Sequence, residues 1–419
     1  MSSRITVDTV VVKNSELKVH FHCQGDVANY IKGELFTAEY NLNIESVPES
    51  LLLIPFLANI WPIALVTDCE VNCNQVDLQF FKCLEVVRKS FEDMYPDLTW
   101  TGILNPDLIV NNEKHYSEES SKSALFFNGG IASLASYIQR RHEKPLLITI
   151  LETGEEENSP GWMNGINQLN DFALERDTEI NLIKSNFRTT LNENKLNSTY
   201  KASVGGEWWS HVHHGLAIIG LAAPITYHHS ISKLYYSATQ NPSFIYPYGS
   251  HPEIDSHIKW GSSSFNTVHQ GYVLTRHEKI TLISYYIKKY DSKLKVSVCC
   301  KNDDGLNCST CEACTTTILS MLIEGLTPSN HGFKEVDAEA LTNIKNEIEK
   351  KESMTPQAIY QYSDIKNYMT YKKSELPEFS LEFFSWFEKV NFKQFNRKHK
   401  YSQVWKQSKH KIMNQFQNS

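Results

Sequence analysis

The amino-acid sequence predicts an α/β protein whose central part folds into a doubly wound parallel sheet. Short apolar runs typical of buried strands alternate with amphipathic helical patterns between residues 124 and 298, and this rhythm is typical of parallel strands joined by covering helices. Residues 1–118 predict an N-terminal accessory α+β domain, and residues 326–419 predict a helical C-terminal tail. Residues 119–325 are therefore the predicted central domain.

The accessory region contains a hairpin, a helix and a linker by its pattern. Thr6–Val12 and Leu17–Cys23 alternate as paired strands do, and Leu78–Phe91 has apolar residues at helical spacing. Leu51–Val66 is strongly apolar, but it is shorter than a membrane span and carries two prolines, so it predicts buried core. The polar run Asn111–Ser123 predicts the linker.

The central and C-terminal elements follow from the same periodicities. The predicted strands are Ala124–Phe127, Pro145–Leu151, Glu179–Lys184, Lys233–Ala238 and Lys295–Val298. The predicted helices are Ile131–Arg141, Gly161–Leu174, Trp208–Ala222, Thr275–Tyr290, Asp337–Glu352 and Leu381–Phe392.

The composition is that of an ordinary globular protein. Of the 419 residues, 41% are hydrophobic and 21% are charged, and the formal net charge is −7. The acidic balance disfavours nucleic acid as a partner. The first residues lack a basic stretch followed by an apolar core, so we expect neither a signal peptide nor a membrane partner, and we expect the protein to work in the cytoplasm.

Four cysteines have the spacing of a metal site. Cys299, Cys308, Cys311 and Cys314 form a C-x8-C-x2-C-x2-C pattern, and with Cys300 they are five of the nine cysteines in the chain. Four thiolates suit a tetrahedral structural Zn²⁺ with no open position. Cys300 is an alternative first ligand. We expect this site to brace the far end of the sheet.

A Gly-Gly turn follows the first predicted central strand. Asn128-Gly129-Gly130 connects that strand to a helix, and Ser133 lies in the first turn of the helix. Glycines let the backbone approach an anion, and the free amides at a helix N-terminus hold it. A tight turn without any ligand is the open alternative.

With both motifs on one domain, residues 124–325 resemble the PP-loop ATP pyrophosphatase superfamily, and more closely its QueC-like (7-cyano-7-deazaguanine synthase-like) branch. The family loop Ser-Gly-Gly-x-Asp-Ser is matched by Asn128, Gly129, Gly130, Ile131, Ala132 and Ser133. The four cysteines above match the zinc ligands of the family.

The resemblance implies a HUP/Rossmann-like PP-loop domain that binds ATP and Mg²⁺ and adenylates a carboxylate with release of pyrophosphate. An amine or ammonia then displaces AMP to give an amide or, after a second round, a nitrile. The resemblance permits a deazaguanine acid as the carboxylate, a protein or peptide partner, and a setting in bacterial antiphage defence.

Basic segments between the two motifs are also similar to those of QueC-like proteins. The resemblance makes Arg188, Arg276 and Lys279 candidates for neutralising phosphates, with Lys279 and Arg188 in catalytic roles, and it makes His251 and Asp255 candidates for orienting the substrate. Solvated surface charge is the open alternative for the three basic residues.

The loop departs from the family at its acidic position. Ala132 stands where the family has an aspartate associated with the phosphates and Mg²⁺, and a methyl group offers no oxygen. Two explanations stay open: an active parent enzyme in which alanine has been substituted for the aspartate, or a catalytically degenerate nucleotide-binding or scaffold subunit.

Three histidines share the predicted helix 208–222. His211 and His214 are three residues apart and are in metal-ligand spacing, but packed, hydrogen-bonded imidazoles are the favoured interpretation for them and for His213.

Overall fold

The computed structural model describes residues 3–113, 122–152, 160–299 and 307–396. Within these residues one ten-stranded sheet runs through the protein. Its strands are β1 (Arg4–Lys13), β2 (Glu16–Gln24), β3 (Leu35–Tyr40), β4 (Glu70–Asp77), β5 (Ile103–Val110), β6 (Lys122–Phe126), β7 (Leu146–Glu152), β8 (Ile180–Ser185), β9 (Ile231–Ser237) and β10 (Asn266–Gln270).

Helices cover the sheet and form the C-terminal part. They are α1 (Glu49–Leu52), α2 (Ile54–Val66), α3 (Leu78–Met94), α4 (Ile131–Arg140), α5 (Pro160–Glu175), α6 (Glu193–Val204), α7 (His214–Leu221), α8 (Ala223–His228), α9 (Pro252–Asp255), α10 (Arg276–Lys289), α11 (Glu312–Ile323), α12 (Ala338–Glu349), α13 (Pro356–Tyr371) and α14 (Leu381–Phe387). The last is shorter than the predicted helix 381–392. Part of the predicted linker, residues 114–121, and the alternative ligand Cys300 lie outside the described residues.

The sheet is mostly parallel, which confirms the predicted α/β class. The strand order is β10-β9-β6-β7-β8-β3-β2-β1-β4-β5, and the first five strands in this order pair in parallel. The chain goes from β6 outward through β7 to β8, and then crosses to β9 on the other side of β6. The strand order therefore reverses between β6 and β9, and ligands of open α/β sheets bind at such a switch point, outside the carboxyl ends of the strands.

The N-terminal strands continue the same sheet. β1 and β2 form the predicted antiparallel hairpin, and β3 pairs antiparallel with β8. The Asn186 side chain strengthens this joint, because it donates to the Leu35 carbonyl at 2.9 Å and accepts from the Thr37 amide at 2.8 Å. Sheet pairing thus crosses the position of the predicted linker, and a domain boundary at residue 118 stays a prediction.

The two faces of the sheet bury two hydrophobic cores. Phe126 and Tyr236 belong to the core formed with α2, α7 and the N-terminal strands. Their neighbours Leu125 and Tyr235 point to the opposite core, with α4, α10, α11 and the C-terminal helices. This alternation is the period of two that a strand imposes on its side chains.

The predicted buried core at Leu51–Val66 is confirmed. α2 is almost completely buried, and Gly220 of α7 lies so close that a β-carbon there would meet the Ala58 side chain at 2.4 Å. Among the described residues, no helix combines the length and apolar character that crossing a bilayer requires.

The predicted helix 208–222 is interrupted. Trp209–His213 form a π-helical turn, and α7 begins only at His214. At this wider turn two backbone groups of the helix bond to Gly249, which lies in a distant loop. The Gly249 amide donates to the Ser210 carbonyl, and the Gly215 amide donates to the Gly249 carbonyl, both at 2.9 Å. Periodicity shows the apolar face of a helix, but it does not show that a distant loop inserts into it.

The prediction of a strand at Lys295–Val298 is wrong, because these residues lie outside the sheet. The Val296 amide donates to the His331 carbonyl at 3.1 Å, and the Ser297 amide donates to the Gly129 carbonyl at 3.0 Å. Val296 is buried, but the hydrogen-bond partners of this segment are loops rather than a neighbouring strand.

Candidate functional site

The Gly-Gly turn lies at the switch point of the sheet. It connects β6 to α4, and Gly129 has a positive φ of 71°, which a residue with a β-carbon adopts only with strain. Asn128 is exposed and both glycines are partly exposed, so part of the turn is accessible to a ligand. The amides of Ile131 and Ala132, in the first turn of α4, have no intrahelical acceptor and carry the positive end of the helix dipole.

Asn128 closes the turn from within. Its Oδ1 atom accepts from the Gly130 amide at 3.0 Å and from the Ser133 hydroxyl at 2.8 Å. An anion bound at a helix N-terminus uses donors of this kind. The side-chain amide oxygen of Asn128 therefore takes two donors that a phosphate oxygen would otherwise use.

Ser133 is buried beneath the turn, and its hydroxyl oxygen also lies 3.1 Å from the Gly130 carbonyl oxygen, an alternative acceptor for its one proton. Ala132, half-exposed beside it, contributes only a methyl group. The turn therefore has the backbone geometry of an anion site but lacks a carboxylate to hold a divalent cation.

The cysteine segment packs directly against this turn. The Ser297 amide donates to the Gly129 carbonyl, and a β-carbon on Gly130 would lie 3.4 Å from the Ser297 carbonyl. The expectation that the metal site braces the far end of the sheet is therefore wrong. The segment that leads into Cys299 supports the Gly-Gly turn itself.

The four predicted cysteines converge and could hold a metal ion such as zinc. Their sulfur atoms all lie within 4.8 Å of one another. The sulfur of Cys314 lies 3.8 Å from that of Cys308, 3.5 Å from that of Cys311 and 3.4 Å from that of Cys299. A tetrahedral zinc site with ordinary Zn–S bonds needs sulfur pairs about 3.8 Å apart, so the donor set fits the metal.

The surroundings of Cys308 favour a thiolate, whereas burial raises the pKa of Cys311 and of Cys314, and a buried asparagine fixes the backbone. Burial opposes ionisation of Cys308, but hydrogen bonds from the Thr310 and Cys311 backbones outweigh it and lower the Cys308 pKa to about 6. The buried Asn307 side chain accepts from the Val298 amide at 2.7 Å and donates to the Val296 carbonyl at 2.7 Å. Asn307 therefore holds both sides of the loop together, a role that the cysteine spacing did not indicate.

Lys279 lies at the carboxyl edge of the sheet. Its ammonium group donates to the Ala238 carbonyl, just after β9, at 2.6 Å. Burial, together with the nearby Arg276 charge, lowers the Lys279 pKa to about 8. The interpretation as solvated surface charge is wrong for this residue, because its side chain is buried.

Arg276 contacts the helix that follows the cysteine cluster. Its guanidinium donates to the Thr317 hydroxyl at 2.7 Å and to the Ala313 carbonyl at 3.4 Å, so it ties α10 to α11 next to Cys314. Burial lowers the Arg276 pKa to about 10. Its contacts are those of a residue that holds the helix after the cysteine cluster.

Arg188 lies beyond the carboxyl end of β8. Its Nε atom forms an ion pair with Glu193 Oε1 at 2.5 Å, and its guanidinium carbon lies 5.1 Å from the centre of the Trp209 ring. It thus borders the π-helical turn and is two strands away from β6.

An aromatic cluster around the π-helical turn was not found from the sequence. Tyr248 lies between His211 and His214, with ring centres 6.0 Å from each, and the Tyr236 hydroxyl lies 3.1 Å from His214 Nδ1. His213 is packed as predicted, with its two ring nitrogens bonded to Trp208 Nε1 at 2.7 Å and to the Asn59 carbonyl at 2.6 Å. In the described part of the chain only the four cysteines group as metal ligands, so the histidine pair finds no third ligand.

Comparison of the chain with models of protein families, with curated proteins and with solved structures finds no match.

Proposed function

We propose that the turn Asn128–Ser133 binds the phosphates of ATP and that the protein adenylates a carboxylate for amide or nitrile formation. One observation carries the proposal: a partly exposed Gly-Gly turn with a positive-φ glycine opens a helix at the switch point of a parallel sheet. Backbone amides at this place are the common way in which α/β proteins bind phosphates. The adenylation chemistry rests on the resemblance to QueC-like proteins.

In the proposed reaction, a carboxylate oxygen attacks the α-phosphorus of ATP and pyrophosphate leaves. The nitrogen of ammonia or of an amine then attacks the acyl carbon, AMP leaves with the bonding electron pair, and nitrogen loses a proton. The protein would contribute positioning and charge neutralisation. Lys279, buried at the carboxyl edge with its ammonium group close to β9, is the basic residue best placed for this role.

The residues at the turn do not fit a protein-bound Mg²⁺. Ala132 has no ligand oxygen, and the described residues group no carboxylates with it as ligands. We therefore assign no step to a protein-bound magnesium ion. The four cysteines do fit zinc, which would supply structural support for the turn through the Ser297 contact. A cluster of reduced thiols also fits the cytoplasm.

A second function is favoured by the same turn: a catalytically degenerate nucleotide-binding or scaffold subunit. Ala132 removes the carboxylate, and Asn128 takes two donors of the phosphate site. The partner of either form would be a protein or peptide, in keeping with the antiphage defence setting that the resemblance permits.

The decisive experiment compares the natural chain with Ala132→Asp and with the uncharged control Ala132→Asn. Each protein is mixed with ATP, Mg²⁺ and a deazaguanine carboxylic acid, and pyrophosphate release is measured. The enzyme hypothesis predicts carboxylate-dependent release that Ala132→Asp raises at least about 100-fold and Ala132→Asn does not. ATP binding without release in all three proteins supports the scaffold, and the absence of both activities contradicts the proposal.

A further inference from the structure

A carboxylate–imidazole pair lies buried at the carboxyl edge of β9 and β10. His269, the penultimate residue of β10, has its Nδ1 atom 2.9 Å from Asp255 Oδ2. The Ser250 hydroxyl donates to the same carboxylate oxygen at 2.8 Å. The side chains of His269 and Asp255 are 3% and 0% exposed, so the pair lies almost entirely out of solvent.

The second ring nitrogen of His269 is the unusual feature. Nε2 is buried and has no hydrogen-bond partner in the part of the chain that the structure describes. Two other buried histidines use both nitrogens: His213 bonds to Trp208 and Asn59, and His277 bonds to Ser320 and Glu324. A histidine that served only to support the fold would be expected to do the same, because an unsatisfied buried nitrogen costs stability.

Asp255 determines which nitrogen is available. The carboxylate accepts the proton on Nδ1, so the neutral ring carries its lone pair on Nε2. Burial raises the Asp255 pKa, while the hydrogen bonds from His269 and Ser250 oppose that shift. This is the arrangement in which a carboxylate orients an imidazole toward a third group.

A close backbone approach at Gly215 positions this pair. A β-carbon on Gly215 would lie 2.2 Å from Asp255 Oδ1 and 2.4 Å from the Gly249 carbonyl. The π-helical turn and Gly215 therefore let the segment 249–255 approach closely enough to place Ser250 and Asp255 in the network with His269 of β10. His251 caps α9 by accepting from the Glu253 amide at 3.2 Å and so fixes the same loop.

The position of the pair relates it to the proposed ATP site. Tyr236 of β9 is opposite His269 in the strand register, and its ring is 5.4 Å from that of Phe126, the last residue of β6. The pair is thus two strands from β6, at the same edge of the sheet as the Gly-Gly turn. A ligand that extends from the phosphates across the carboxyl ends of β6, β9 and β10 would run toward the pair, and it would have to displace the atoms that now cover Nε2.

We propose that His269, oriented by Asp255, is the general base that takes the proton from the attacking amine in the second half of the reaction. This inference rests on the proposed function. In this step the C–N bond forms, the bond from carbon to the phosphate oxygen breaks with its electrons leaving on AMP, and one proton moves from nitrogen to Nε2. Asp255 is a positioning residue that also stabilises the imidazolium.

The test separates the two half-reactions in the full-length protein, in whichever of the natural chain and Ala132→Asp is the more active. The probes are ATP with Mg²⁺, a deazaguanine carboxylic acid, and either ammonia or hydroxylamine. Carboxylate-dependent ATP–pyrophosphate exchange reports adenylation, and mass spectrometry measures the amide or hydroxamate. Hydroxylamine is unprotonated at neutral pH and is a strong nucleophile, so it depends little on a base.

For His269→Gln we expect exchange within about twofold of the parent, amide formation from ammonia reduced about 100-fold or more, and hydroxamate formation largely retained. His269→Gly should regain amide formation when imidazole is added. Asp255→Asn, which keeps the shape of the carboxyl group, should show the same selective loss and serves if His269→Gln does not fold.

The outcomes distinguish the two proposals. Suppose that the parent shows ATP–pyrophosphate exchange. If the variants then form the amide at the parent rate, or lose exchange and amide formation in parallel, the assignment of His269 as the base is wrong, and the proposed function stands. If neither parent chain shows exchange, the proposed function fails, and the base assignment fails with it.

Discussion

Removing one thiolate from the cysteine cluster is the sharpest test of the metal site. The sulfur pairs of Cys314 with Cys299, Cys308 and Cys311 are 3.4–3.8 Å apart, already close to the spacing that zinc imposes. Cys311→Ser should therefore abolish tight binding of one Zn²⁺ per chain. Structural zinc contributes on the order of 10 kcal/mol in isolated finger peptides.

In this protein the loss should be smaller, because Asn307 and the core around α11 still hold the segment. A loss of about 3 kcal/mol would lower the melting temperature by about 3–4 °C in a chain of this length. Because Ser297 bonds to Gly129, the same variant should also bind ATP more weakly. The assays are metal analysis, thermal unfolding with and without a chelator, and ATP titration.

Cys23→Ser is the matched control, since Cys23 lies in β2, outside the cluster, and its loss should leave the metal content unchanged. A chelator should lower the melting temperature of the natural protein and leave that of Cys311→Ser unchanged. Natural protein purified without chelator that contains no zinc, or a Cys311→Ser protein that keeps one equivalent and its melting temperature, would refute the reasoning.

Three further substitutions test the packing and the electrostatics. Gly215→Ala should destabilise the fold by about 2–4 kcal/mol in chemical unfolding, since its β-carbon would meet Asp255 Oδ1 at 2.2 Å; unchanged stability would contradict this contact. Asn307→Asp should lower the free energy of unfolding by about 2–4 kcal/mol and should weaken zinc binding, because an aspartate side chain cannot donate to the carbonyls of Val296 and Gly332. Unchanged stability and unchanged zinc affinity would refute the role of Asn307 in holding the loop. Folding lowers the pKa of Lys279 to about 8 from the ordinary 10.5. Between these two pH values the unfolded chain therefore binds more protons than the folded protein. The contribution of Lys279 to the free energy of unfolding should increase as the pH rises from 8 to 10.5. Lys279→Met should lack that increase when unfolding is measured across this pH range, and identical pH slopes for the two proteins would show that folding does not lower the pKa of Lys279.

Periodicity and spacing predicted the parts of the protein that are local in sequence. The buried strands around β6, the helix after Gly130 and the cysteine spacing each lie within a short stretch of chain, where a period of two or 3.6 residues or a ligand pattern is visible. The capping box of Thr275 and Glu278, which begins helix α10, is likewise local, because its two residues are only three positions apart.

Contacts between distant residues were not predictable in this way. The joint between β3 and β8, the insertion of Gly249 into the π-helical turn, and the pairing of Asp255 with His269 depend on which elements become neighbours in space. The contact of Arg276 with Thr317 is another example, because it joins two helices through residues that are 41 positions apart in the sequence.

The central claim, that the Asn128–Ser133 turn holds nucleotide phosphates, is tested most directly by calorimetric titration of ATP into the natural chain and Asn128→Asp. Aspartate has the shape of asparagine and an oxygen that can still accept from Gly130 and Ser133, so the turn should be preserved while a negative charge enters the phosphate site. The account predicts saturable ATP binding by the natural chain and an affinity at least about 10-fold lower in the variant. Equal affinities, or no binding by the natural chain at millimolar ATP, would contradict it.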